Sequence, residues 1–472
     1  MNDVPTEIPV PASGAGAKGE ARRLRIFLFM AATSLGYFVV QLDVSIVNLS
    51  LPALQNYFRI DVSTLQWIVN AYTLSFSILL LSAGVLGDRY GSKNFLILGY
   101  AIFLAGSLAC GAASSVPFIL AARFLQGAGA ALVVPNSLAA INAAFPENRN
   151  LRLSLLSIWI ACGGAALTCG PIVGGLINSV ASWRWIFFMN LPICALGILL
   201  TARYVEAAPP RQARQQDWMG QGLILAFATS LLVLIINYAD LSQAARLELV
   251  AVAAIGFCLF VVVESRLPHP AIPLEIFRNT GLQKALLFGV LVNFVYFGVV
   301  FFASLYFRRY LQMTPLQAGL AFIPITLPLI VSTLWSGKIS RAHGPDRAIA
   351  IGFAFMIPGL LCLAQPSLQT RYAFMVPAFA LTTFGIGFIP PMVTAIAMLS
   401  VGPERGGMIS AVVNFFRQIA GAFGVAVFGV FMTSATEGAA YRAFGFALVA
   451  VACALLVAIG FFARWERRAA VR

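Results

Sequence analysis

Residues 26–49 read IFLFMAATSLGYFVVQLDVSIVNL, an apolar run with one charge, Asp43, and with Arg22, Arg23 and Arg25 just before it. A helix rises about 1.5 Å per residue, so roughly 20 apolar residues cross the hydrocarbon of a bilayer. The run is too long for a signal-peptide core and lacks a small-residue cleavage site, so it reads as an uncleaved first membrane helix. Met1 to Glu20, ahead of it, are polar and rich in Pro, Gly, Ala and Ser, which reads as a flexible tail.

Working outward, the same pattern recurs at 64–86, 95–113, 117–143, 153–179, 185–203, 218–238, 246–263, 285–307, 317–337, 348–364, 372–398, 407–434 and 443–463, predicting fourteen spans in all. The composition agrees: 60% hydrophobic and 10% charged over 472 residues, with mean hydropathy +0.88. No soluble fold hides so much apolar surface. An outer-membrane barrel would show short alternating segments instead. The fold class is therefore an all-α polytopic membrane protein.

The net charge of +14 is loop charge, not a nucleic-acid footprint. With the N-terminus inside, the outer segments carry only Arg59, Arg184, Arg246, Arg308, Arg309, Arg371 and Arg442. Arg123 and Arg417 lie within spans, and the remaining Lys and Arg fall on the inner side. Cytoplasmic loops collect such residues, which places both termini in the cytoplasm. The seven cysteines, Cys110, Cys162, Cys169, Cys194, Cys258, Cys362 and Cys453, all sit in apolar runs without a CxxC pair. With only His269 and His343, both in polar breaks, the chain offers no metal or His-based catalytic site.

A faint repeat divides the chain. Gly84-Val-Leu-Gly-Asp88-Arg89-Tyr-Gly91 closes the second span, and Gly337-Lys338-Ile-Ser-Arg341-Ala-His343-Gly344 closes the tenth. Gly127-Ala-Gly129 in the fourth is echoed by Gly385-Ile-Gly387 in the twelfth. Spans 1–6 then map onto 9–14, with spans 7 and 8 an inserted, peripheral pair. The boundaries are a tail over 1–24, a six-helix bundle over 25–203, a linker with the inserted helices over 204–265, a second bundle over 266–464, and a tail over 465–472. Two homologous bundles around a midplane site form a transporter architecture.

Four motifs carry a resemblance to the fourteen-helix drug:proton antiporters of EmrB/QacA type within the major facilitator superfamily. Leu42-Asp43-Val44-Ser45-Ile46-Val47-Asn48-Leu49-Ser50-Leu51-Pro52 is similar to LDxTIVNVALP, departing at Ser45, Leu49 and Ser50. Gly84 to Lys93 resembles the GxLADRxGRK loop, departing at Gly87 and Ser92. Arg123-Phe-Leu-Gln126-Gly127-Ala-Gly129 resembles RxxQGxG, and Gly170-Pro171-Ile-Val-Gly174-Gly175 resembles the antiporter ending GPxxGG. The resemblance implies a proton-coupled exporter of toxic compounds, working by alternating access in the bacterial cytoplasmic membrane. It implies protons, lipid and a small hydrophobic or amphiphilic substrate as partners, with a periplasmic adaptor in a two-membrane host. It implies no cofactor, no metal, no nucleic acid and no enzyme activity.

The residues also read on their own. A carboxylate at the centre of a span costs about 2.5–3.5 kcal/mol on insertion scales, so Asp43 has either a task or a structural partner. Arg123 is predicted at matching depth: Asp43 lies ~25 Å above the inner end of the first span, Arg123 ~20 Å above the inner face. They read as the proton-coupling pair or as a static ion pair, and the family ties this arginine to coupling. Asn48, Asn70, Tyr72, Gln126, Asn293, Tyr296, Asn414, Arg417 and Gln418, with Gln66, are candidates for lining a substrate cavity; interhelical hydrogen bonding is the alternative. Gly84, Asp88, Arg89, Gly91 and Lys93 form a cytoplasmic gate or a plain basic loop. Gly170, Pro171, Gly174 and Gly175 remove side-chain bulk and perturb the helix; the resemblance implies that they pack the bundles near the outer face, and ordinary close packing is the alternative.

The sequence contains no ATP-binding P-loop, and its span interiors hold too few acids and histidines for an intramembrane enzyme. A channel would show a filter and oligomeric symmetry in place of an internal repeat. Within transport, the alternative is an exporter of one endogenous metabolite.

Overall fold

The structure, a computed structural model, describes residues 15–145, 148–207, 216–267, 270, 272–365, 372–400, 406–433 and 436–470. It contains fourteen helical spans of membrane length. The first six are α1 (Arg22–Phe58), α2 (Val62–Gly87), α3 (Ser92–Ala112), α4 (Val116–Ala144), α5 (Ser154–Val180) and α6 (Trp185–Tyr204). Next come α7 (Trp218–Ile236) and α8 (Gln243–Arg266). The last six are α9 (Thr280–Arg309), α10 (Pro315–His343), α11 (Pro345–Leu363), α12 (Tyr372–Leu399), α13 (Met408–Phe431) and α14 (Glu437–Phe462). Every expected span has its helix.

Local chemistry sets the ends. Asp61 caps α2 by accepting from the Thr64 N–H at 2.9 Å, and Asn279 caps α9 through the Leu282 N–H at 3.1 Å. Gly91 and Gly344 give the clearest form of the internal repeat. Both have positive φ, 97° and 87°, and both bond back to the preceding helix, to Gly87 O and Ser340 O. A side chain at either turn would be strained, so the same residue type ends the second helix of each half.

Two departures come from proline. The apolar run of the first span ends near Leu49, but the helix continues through Pro52 to Phe58. Neighbouring helices allow a membrane helix to keep such a proline. In α10 the helix breaks at Phe322, just before Pro324, into Pro315–Ala321 and Ile323–His343. α6 also breaks, at Met189, which leaves Asn190 at the start of its second segment.

Lipid supplies no hydrophobic drive between helices, so small residues that admit close backbone contact set the packing. In the first bundle, Gly127 of α4 rests on Ser75 and Tyr72 of α2, and Gly129 on the backbone of α3 at Phe103. In the second, Gly387 of α12 rests on Ser332 and Leu329 of α10, and Gly385 on Gly352 and Met356 of α11. The halves thus share one packing scheme.

The bundles meet near the face opposite the N-terminus. Gln66 of α2 donates to Val425 O and Ala426 O of α13 at 2.9 and 2.6 Å. A Cβ on Gly175 of α5 would stand 3.1 Å from Gly319 Cα of α10. Towards the N-terminal face, a Cβ on Gly84 or Gly337 would meet nothing within 4 Å.

The inserted pair is not simply peripheral. α7 lies along the α2–α13 seam, where Ala228, Leu232 and Ile236 pack with Leu74 of α2 and with Ala422 and Ala426 of α13. Ser82 donates to Gln221 at 2.7 Å, and Trp67 donates to Asn237 at 3.3 Å. Polar bonds join α7 and the residue after it to α2, while α7 packs on α13 through apolar side chains, Ile419 and Phe423 among them. α8 is the outer member, with 22% of its central window buried.

Candidate functional site

Asp43 is fully buried on α1. Its Oδ2 accepts from Arg123 Nη1 of α4 at 2.5 Å. Its Oδ1 accepts from Gln126 Nε2 at 2.7 Å and from Asn190 Nδ2 of α6 at 3.2 Å. The two amides also reach Ser107 Oγ of α3, at 2.8 and 3.3 Å. Arg123 and Gln126 are three residues apart on one helix face, which lets both address the same carboxylate. Arg123 Nη1 also donates to Gln126 Oε1 at 2.6 Å, and its Nε to Ile68 O of α2 at 3.2 Å. Its guanidinium carbon stands 4.4 Å from the Tyr72 ring centre.

The structure thus brings the two predicted partners together and closes a network around them within the first bundle. All three side chains that touch Asp43 are donors. That set fits a carboxylate. A protonated acid would turn its own O–H toward donors, so taking up a proton must break part of the network.

Of the proposed cavity residues, Gln126 and Tyr72 belong to this network instead of a free surface. Asn70 is fully buried with neither amide atom hydrogen-bonded. Asn48 and Tyr296 do line a shared cavity between the bundles, with Ser45, Pro171, Phe297 and Thr326. Its volume is about 10 Å³, room for one water at most. Asn293 Nδ2 is spent on Gly289 O at 2.8 Å, and Asn414 Nδ2 on Ser410 O at 3.0 Å. Arg417 and Gln418 are half-buried on α13. Gln66 acts as a cross-bundle clamp.

Among the gate residues, Arg89 is exposed and Lys93 donates to Ala202 O at 2.8 Å, inside its own bundle. The Asp88 side chain lies outside the described residues, as does His269. In the glycine-proline segment, Gly170 and Gly174 face Ser45 and Ile46 of α1, within the bundle. The Pro171 carbonyl and Gly175 face Gly319 across the interface.

Sequence reasoning missed Ser107, since a single polar residue in an apolar run looks like ordinary packing, and it met Asn190 only as part of the stretch Trp183 to Pro192, which looks typical of the family, without a role beside Asp43. It also passed over Glu264, which is buried at the end of α8 and accepts from the Ile272 N–H at 3.3 Å. The signal was its place one residue beyond the apolar run at 246–263. Among the described residues, no cluster of His, Cys, Asp and Glu could hold a metal ion.

Comparison with known proteins places this geometry in context. Residues 33–425 match the profile of the Major Facilitator Superfamily. The chain is 34% identical to the methylenomycin A resistance protein of Streptomyces coelicolor, over 94% of both chains. It is 33% identical to the multidrug resistance protein Stp of Mycobacterium tuberculosis, over 85% of this chain and 75% of that one. A D-xylose-proton symporter structure superposes with TM-score 0.66 at 16% identity, over 91% of this chain and 96% of the other, and that likeness concerns the fold alone.

Proposed function

The chain belongs to the Major Facilitator Superfamily, and from that premise we propose that it exports small hydrophobic or amphiphilic toxic compounds in exchange for protons. It is a transporter and not an enzyme. Resistance proteins among its relatives support export as the direction. The two rocking bodies are 25–203 and 266–464, and 204–265 links them. The N-terminal face is cytoplasmic in the bacterial inner membrane in this reading, which the loop charge supports. A periplasmic adaptor belongs to this reading only in a two-membrane host.

The observation that carries proton coupling is the sealed network on Asp43. In the conformation described, the bundles are clamped at the outer face by Gln66 on α13 and by Gly175 on Gly319. Asp43 is closed to water. When the outer face opens, α1 and α4 move relative to the second bundle, and water reaches the carboxylate. A proton taken up there displaces Arg123, which keeps Gln126 Oε1 and Ile68 O as acceptors. Return of Asp43 to its donors releases the proton inward. Each proton moved down a potential of 100 mV supplies about 2.3 kcal/mol. Gly84, Asp88, Arg89, Gly91 and Lys93 gate the cytoplasmic side in this cycle, and Gly170, Pro171, Gly174 and Gly175 the outer side.

The test is ethidium uptake by inside-out vesicles from a host lacking its own pumps. Uptake is expected under an imposed pH gradient, to stop with nigericin, and to vanish in Asp43→Asn. Uptake indifferent to the gradient refutes proton coupling. Protection from no toxin, with the level of one internal metabolite lowered, replaces the multidrug reading by a single-metabolite exporter.

A further inference from the structure

The gap between the bundles holds a cation that the Asp43 network does not use. Arg417 of α13 is half-buried, with its Nε closed off and without a hydrogen-bond partner. Its Nη1 reaches Asn414 Oδ1 at 3.4 Å, a long bond to a neutral acceptor. Among the described residues, no carboxylate pairs with it. A guanidinium withdrawn from water without an anion is costly, so the site is electrostatically incomplete. Asp43 cannot complete it, because both its oxygens are bonded within the first bundle and it has no exposed surface.

Two neighbours frame the guanidinium. Gly289 of α9 gives the arginine stem its room: a Cβ there would stand 3.3 Å from Arg417 Cγ. From the other bundle, Tyr37 of α1 stands within electrostatic reach of Arg417. Tyr37 is itself only partly buried, and it stacks on Trp159 of α5 with ring centres 3.8 Å apart and planes 10° apart. An aromatic side chain of the first bundle therefore stands near a guanidinium that pairs with no carboxylate among the described residues. Guanidinium forks match carboxylates with two parallel bonds, and aromatic faces suit a flat apolar body.

We propose that Arg417 anchors the carboxylate of an amphiphilic substrate, whose flat body lies toward Tyr37. The inference rests on the export reading and adds to it a preferred cargo class, amphiphilic organic acids; a lipophilic cation such as ethidium gains nothing from Arg417. Because the site is shared between bundles, the anion it holds bridges them, as a cargo site must.

The experiment titrates the purified full-length chain in detergent, at constant chloride, with three probes on one ring system: 2-naphthoate, 2-naphthamide and 2-naphthyltrimethylammonium. Calorimetry is expected to rank naphthoate roughly tenfold above the amide, as a charge-assisted bidentate contact exceeds a neutral one. The ammonium probe should bind weakest. Arg417→Gln should erase the ranking, and Arg417→Lys should keep part of it. If Arg417→Gln is not monodisperse, Gly289→Val crowds the stem without removing the charge and should weaken naphthoate selectively. Equal affinities for naphthoate and naphthamide, no naphthoate binding, or a ranking unchanged in the variants overturns the proposal. Ethidium uptake is read in parallel. Pumping without naphthoate preference sinks the carboxylate site and spares export. An Arg417-dependent preference without pumping of ethidium or any probe does the reverse.

Discussion

Asp43 and Arg123 lend themselves to a double-mutant cycle whose outcome the geometry fixes. Asp43→Asn leaves the buried Arg123 with Gln126 Oε1, Ile68 O and the Tyr72 ring. Arg123→Gln leaves a buried carboxylate with two amide donors, from Gln126 and Asn190. Breaking a buried pair by removing one partner costs about 3–5 kcal/mol, because the other charge stays uncompensated. The remaining acceptors place Asp43→Asn near the lower figure, and Arg123→Gln near the upper. The double variant puts two neutral amides within reach of each other and should lose only about 1–2 kcal/mol, two net hydrogen bonds at most. The coupling is then at least about 4 kcal/mol, or close to three decades in an opening equilibrium. Cys110 provides the reporter, since it is fully buried with its Sγ 3.7 Å from Gln126 Oε1. In a background with the other six cysteines replaced, its modification rate by a thiol reagent measures local opening of this network. The rate should rise by about two decades in Asp43→Asn, by between about three and four in Arg123→Gln, and by about one in the double. A double variant equal to the product of the singles would refute the coupled-pair argument. All three should lack transport driven by a pH gradient.

Further outcomes follow from other sites. Gly91→Ala and Gly344→Ala should each lose about 1–2 kcal/mol, from the cost of a Cβ at positive φ, seen as a lower midpoint of thermal unfolding in detergent. Gly84→Ala should leave the midpoint unchanged, since its Cβ meets nothing. Gly175→Val should wedge the outer face open, because even a Cβ there meets Pro315 O at 2.8 Å; a cysteine at Thr326 should then label from outside. Partial burial raises the Asp61 carboxyl, but bonds from Thr64 and Ser63 outweigh it and hold it below its ordinary value of 3.8. Its capping contribution is therefore complete above that pH and is lost as pH falls through the lower folded value. Asp61→Ala should cost about 1 kcal/mol at neutral pH and nothing extra in strong acid, by unfolding midpoints at both.

The spans and the central ion pair were legible because both obey one-dimensional rules. Hydropathy over about 20 residues marks a span, and 1.5 Å per residue converts sequence position to depth. Depth alone paired Asp43 with Arg123. The azimuth of a side chain is set by how helices rotate against each other, and no single helix records that. Gln126 therefore read as a cavity residue, although it turns toward Asp43. Ser107 gave no signal, and Asn190 none of its partner, since they matter only where α3 and α6 meet α1. The continuation of α1 through Pro52 and the seam position of α7 were hidden for the same reason. Both depend on neighbours distant in sequence.

Where α7 lies has a consequence for how cargo arrives. A two-bundle carrier has two lateral slits through which acyl chains or dissolved amphiphiles could slip into the cleft as the halves separate. α7 is hydrogen-bonded to α2 and packed on α13, so it covers the α2–α13 slit as a weatherstrip covers a seam. In the conformation described, that slit is shut to the bilayer. Among the described residues no extra helix screens the other slit, between α5 and α10, so the two flanks of the carrier present different surfaces to the lipid.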